Sequence, residues 1–127
     1  GIATGVVAGG LVVWLVAQEP LKGQCIAAAV LAGIAAGGFG RAVSAKAGPP
    51  SPVGGFASLA ILAVAGPISA MVMNGGGSSL VSAAIQGRAF PLAMPMPLDW
   101  LAGAFWGIPI GLSWADSMVD KSESKAG

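Results

Sequence analysis

The chain has 127 residues, of which 55% are hydrophobic and only 9% are charged, against roughly 25% charged in a soluble domain. Six basic and five acidic residues cannot give a chain of this length a charged shell, and the mean hydropathy of +0.82 points to lipid as the solvent. A net charge of +1 offers no basic field for nucleic acid. Histidine is absent and Cys25 is the only cysteine, which excludes an internal disulfide, a cysteine-cluster metal site and the usual catalytic base. No nucleophile and base occur as a recognisable pair, so neither an enzyme nor a cofactor or metal is expected.

Four apolar segments follow one another along the chain. The first covers residues 2–17 and gives way to "QEPLKGQ", read as a tight turn centred on Pro20. The chain begins at Gly1 already inside this apolar run, so an upstream segment is expected. The second covers residues 25–45 and is followed by Pro49, Pro50 and Pro52, which favour a stiff extended connector. The third covers residues 56–73 and ends at Gly75, Gly76 and Gly77, read as a flexible linker. The fourth covers residues 98–119 and is followed by a polar tail, 120–127.

Helices of about 20 residues match the roughly 30 Å hydrocarbon core, and backbone groups in lipid must be bonded within the segment. The expected fold is therefore an all-α polytopic membrane protein. It has four transmembrane helices in one domain over residues 1–119, plus a short interfacial helix over residues 80–90. Ser78 or Ser79 is placed to cap that short helix, with Leu80, Val81, Ala84 and Ile85 on one face.

Asp99 suits the first turn of the fourth segment, where the helix dipole favours a carboxylate. Trp100 and Trp114 bracket that segment about 21 Å apart, as interfacial anchors do, and Trp106 between them reads as a packing residue. Pro67 and Pro109 lie inside spans and are expected to kink them.

The glycines fall into stripes at four-residue spacing. Gly1, Gly5 and Gly9 form one; Ala29, Gly33 and Gly37 form a second that continues to Arg41; Gly103, Gly107 and Gly111 form a third. Small residues on one helix face allow the close backbone approach on which helix association in lipid depends. The partners of these faces, within the chain or in another, are left open by the spacing.

No ionisable residue lies in the middle of a span, which disfavours proton- or cation-coupled transport. Arg41 and Asp116 sit near the ends of two helices on the same expected membrane side. They form either an interfacial ion pair or two separate charges snorkelling into headgroups. Cys25 at a helix start reads as a buried thiol, and the four methionines between Met71 and Met96 as apolar filler.

Two functions suit this pattern. The first is an accessory or assembly subunit that packs through glycine-rich faces in a larger membrane complex or with itself. The alternative is a small oligomeric channel or transporter using carbonyls freed at Pro67 and Pro109. The expected partners are the bilayer and other membrane subunits, in a bacterial inner membrane or an organellar membrane. Arg41, Lys46, Lys121 and Lys125 share one expected side against Lys22 and Arg88 on the other, which puts the termini in the cytoplasm.

Overall fold

The computed structural model describes residues 1–19, 21–44, 52–86, 88 and 90–124. Over these residues the chain is helical and contains no strand. Helix α1 spans Ile2–Val16, α2 spans Lys22–Ser44, α3 spans Val53–Asn74 and α4 spans Gly77–Ile85. A 3₁₀ turn at Pro91–Ala93 leads to α5, Pro97–Ala102, a π-helical turn at Gly103–Gly107, and α6, Ile108–Ser124. Gly103 and Ile108 keep right-handed helical dihedrals, so residues 97–124 form one continuous rod about 40 Å long at 1.5 Å per residue.

Helix α2 is the centre of the bundle. Helix α1 packs along one side of it and the 97–124 rod along another, while α3 lies mainly against α1. The directions follow from which residues meet. Gly5 of α1 faces Ala36 and Gly9 faces Ala32, so α1 and α2 are antiparallel; Gly33 faces Gly103 and Gly37 faces Ile108, so α2 and the rod are parallel. Gly1, Ser44 and Asp116 thus share one end of the bundle. Glu19, Cys25 and Asp99 share the other.

Small side chains make up much of the core, and many large apolar ones face outward. The buried apolar cluster consists largely of alanines, among them Ala28, Ala29, Ala32 and Ala36, and the largest fully buried side chains are Ile108, Val13 and Ser58. Leucines, phenylalanines and methionines point outward along α1, α2, α3 and the rod. Among the described residues, Lys22–Ser44 and Val53–Asn74 are each long and apolar enough to cross a membrane, and only 33% and 28% of their apolar stretches is buried inside the protein.

Several boundaries differ from the sequence expectation. The helix expected at 80–90 begins at Gly77 and ends at Ile85. Ser78 and Ser79 therefore lie within it rather than capping it, and the Ser82 hydroxyl donates to the Ser78 carbonyl at 3.2 Å. The three glycines are a tight helix-to-helix turn rather than a linker. Gly75 takes the left-handed conformation at φ 73°, Gly76 follows at φ 135°, and the Gly76 N–H closes on the Met71 carbonyl at 3.0 Å, a cap that glycine adopts without a Cβ penalty. The last helix runs on through residues 120–124 instead of ending at 119. Pro20 and the proline-rich stretch with Pro49 and Pro50 lie outside the described residues.

Pro109 does not act alone. It brings no N–H, and its ring crowds the carbonyl four residues back, that of Phe105. The widened π turn Gly103–Gly107 falls on that stretch, as insertions of this kind do in otherwise regular helices. Near Pro67 the 3₁₀ connector folds back along α3. A Cβ on Gly66 would overlap the Leu92 carbonyl oxygen, about 12 Å before the end of α3, so the connector dips along the bundle instead of lying wholly at its end.

Candidate functional site

The closest helix contact in the protein is the seam between α2 and the rod. A Cβ placed on Gly33 would overlap the Gly103 carbonyl oxygen; one on Gly103 would overlap the Ala29 carbonyl, one on Gly107 the Val30 carbonyl, and one on Gly111 the Ile34 carbonyl. A Cβ on Gly37 would stand 2.8 Å from the Ile108 carbonyl oxygen. The second and third stripes therefore face each other within one chain, backbone to backbone. With the glycines in place, Cα–H groups and carbonyls can approach and dispersion contacts are made along the full seam.

The first stripe meets serine and leucine side chains first and the carbonyls of α2 at longer range. A Cβ on Gly5 would overlap the Ser58 hydroxyl oxygen at 2.5 Å and lie 3.2 Å from the Ala36 carbonyl; one on Gly9 would lie 3.2 Å from Leu62 Cδ1 and 3.3 Å from the Ala32 carbonyl. Gly1 faces the Ser44 side chain. This stripe seats α1 in the angle between α2 and α3.

Arg41 and Asp116 form an ion pair, with Nε 2.7 Å from Oδ1 and side chains 12% and 33% exposed. The pair closes the seam at the end where α2 and α6 terminate. A charge-assisted bond of this length, partly shielded from water, is stronger than a neutral one.

Two polar residues are buried among the described residues, and the first, Ser58, is not singled out by the sequence. Ser58 is fully buried. Its hydroxyl lies 2.8 Å from the Gly54 carbonyl and 3.1 Å from the Ile2 carbonyl, so one proton serves its own helix and ties α3 to the start of α1. The available signal was a serine inside an apolar run, which must find a backbone acceptor when buried. Asp99 was placed in a first helical turn, and there its Oδ2 accepts the Met96 N–H at 2.7 Å; its burial, with 4% exposure, was not foreseen.

The tryptophans exchange roles. Trp100 is buried at 4% exposure in the core cluster, whereas Trp106, expected to pack, is 70% exposed. Trp100 lies three residues before Gly103 and so shares the face that meets α2. Its indole N–H has no hydrogen-bond partner among the described residues. Trp114 is exposed, and Cys25 is buried.

The arrangement is one of helix fixation. Ser58 and Asp99 are the buried polar side chains among the described residues, they sit toward opposite ends of the bundle, and each is bonded to main chain. They do not form a polar path along a helix. No protein-family model, curated protein or solved structure matches this chain.

Proposed function

We propose that this chain is a four-span integral membrane protein that serves as a structural accessory or assembly subunit. The observation that carries the reading is a core rich in glycine and alanine together with many large apolar side chains exposed on every long helix. A bilayer rewards this arrangement because lipid tails are as apolar as leucine, so close packing of small residues drives association. The ends of α1 and the rod match the ends of α2 in the antiparallel and parallel senses that four crossings require. The apolar exposed residues of the rod, Leu101, Phe105, Ile110 and Trp114, support its crossing alongside α2. The basic residues then favour a cytoplasmic position for the end carrying Arg41 and Lys121.

The glycine stripes are occupied within the chain, so the surface offered to other subunits is the outer shell of leucine, phenylalanine and methionine. The two buried polar groups being bonded to backbone favours a structural role over conduction.

Size measurement in native-like nanodiscs, paired with flux through proteoliposomes, tests this function. A subunit should migrate with a larger membrane assembly when taken from its own membrane and should pass no ions or small solutes when reconstituted alone. Solute flux from the isolated chain, abolished by lining substitutions, would overturn the reading in favour of a channel or transporter.

A further inference from the structure

Between α3 and the rod the chain does not stay at the end of the bundle. Helix α3 ends at Asn74 and the rod begins at Pro97, at the end that also holds Cys25 and Asp99. Leu92 lies between them in sequence and well inside them in the bundle. Its carbonyl faces Gly66 of α3, and its side chain faces Gly10 of α1. Gly66 is about 12 Å before the end of α3, and Gly10 about 9 Å before the end of α1. Half of the roughly 30 Å hydrocarbon core is about 15 Å, so Leu92 sits most of the way to the midplane. We infer that residues 90–96 are a re-entrant plug. The plug enters the cleft between α1 and α3 from the side where α3 ends, returns to that side, and leaves the cleft as a unit while the helices stay packed.

The make-up of the segment suits that depth. Irregular backbone inside the hydrocarbon region must have its polar groups met or removed. Pro91, Pro95 and Pro97 bring no N–H. The N–H groups of Ala93 and Met94 turn back on the Phe90 and Pro91 carbonyls at 2.8 and 3.2 Å. The Leu92 carbonyl rests on the backbone of Gly66, where the missing Cβ leaves a Cα–H contact open to it. The hold is uneven along the segment. On one side the Arg88 N–H is bonded to the Ala83 carbonyl at 2.8 Å, and on the other the Met96 N–H is bonded to Asp99 Oδ2 at 2.7 Å. Between these anchors, no hydrogen bond of residues 90–95 reaches α1 or α3 among the described residues. Residues 90–94 are only half-buried. A segment with few buried contacts and no bonds to the core opens at lower free energy than the helices beside it. The two anchored ends then serve as hinges, and Leu92 as the stopper.

The re-entrant course rests on the membrane reading above, and the test keeps the two apart. Ala93→Cys and Ser78→Cys are each placed in a Cys25→Ala background and labelled in intact cells with a membrane-impermeant maleimide. Ala93→Cys should react from the same side as the exposed Ser78→Cys, and about tenfold more slowly, because the seated plug hides it most of the time. Gly66→Ala sets a Cβ against the Leu92 carbonyl oxygen. That change should unseat the plug and bring the Ala93→Cys rate within about twofold of the Ser78→Cys rate, with circular dichroism unchanged. Leu92→Ala, which removes the contact with Gly10, should give a similar acceleration and decides the matter if Gly66→Ala does not fold. Three results would overturn the plug: Ala93→Cys reacting as fast as Ser78→Cys without either change, reacting from the opposite side, or reacting at a rate that neither change raises. Extraction of the chain from membranes by alkaline carbonate would defeat the membrane reading instead. The same rate comparison on the purified protein then decides whether residues 90–96 are seated between α1 and α3.

Discussion

Helix α2 is gripped on two sides by different means. Toward the rod, glycine faces glycine, and an added methyl group would meet carbonyl oxygens. Toward α1 the approach is looser: a Cβ on Gly5 would lie 3.2 Å from the Ala36 carbonyl and one on Gly9 3.3 Å from the Ala32 carbonyl. A carbonyl at that distance needs to give by only a few tenths of an ångström, whereas the overlaps on the rod side require a helix to move. The same four-residue spacing therefore marks a rigid seam on one side and an adjustable one on the other.

Gly107→Leu should break that comparison most severely, because a branched side chain must displace the α2 backbone. A loss of about 3 kcal/mol, the upper part of the overpacking range, is expected in thermal unfolding in nanodiscs. The ion pair at the end of the same seam comes next. Arg41→Asp or Asp116→Arg alone should cost about 1–2 kcal/mol, between the values for exposed and buried pairs, and the double swap should recover part of that loss in a double-mutant cycle. Additive losses would mean two independent charges. Asp99→Ala removes the acceptor of the Met96 N–H at the start of the rod and should cost about 1 kcal/mol. Gly9→Ala on the adjustable seam should change stability by less than about 1 kcal/mol, since the Ala32 carbonyl would lie 3.3 Å and Leu62 Cδ1 3.2 Å away and the gain in helix preference partly offsets the contacts. Gly23→Ala, helical and facing open space, should stabilise by about 0.5 kcal/mol or more. Equal losses for Gly107→Ala and Gly9→Ala would erase the distinction between the seams.

What could be read from the sequence was set by period. A four-residue repeat of glycine marks a helix face whatever that face meets, so Gly33, Gly37, Gly103, Gly107 and Gly111 stood out without coordinates. Which stripe meets which is a long-range property, and spacing alone does not encode it. Trp100 and Trp106 were assigned by an interfacial rule that looks only at position along the span. The stripe itself contained the better signal: residues 100, 103, 107 and 111 lie on one helical face, so Trp100 turns inward with the glycines. The π turn had no local signature beyond Pro109, because glycine and alanine tolerate either winding. Ser58 carries no periodic signal as one polar residue in an apolar run, although burial obliges its hydroxyl to find the carbonyls of Gly54 and Ile2.

Both seams have their proposed function only if all four apolar segments cross the bilayer. Maleimide labelling in intact cells addresses that most directly, using Ser78→Cys and Ser124→Cys separately in a Cys25→Ala background. Four crossings place the two positions on opposite sides, with Ser124→Cys labelled only from the cytoplasm and Ser78→Cys only from outside. If only Lys22–Ser44 and Val53–Asn74 cross, the rod stays on the side where α3 ends, and labelling of both cysteines from that same side would contradict the four-span bundle.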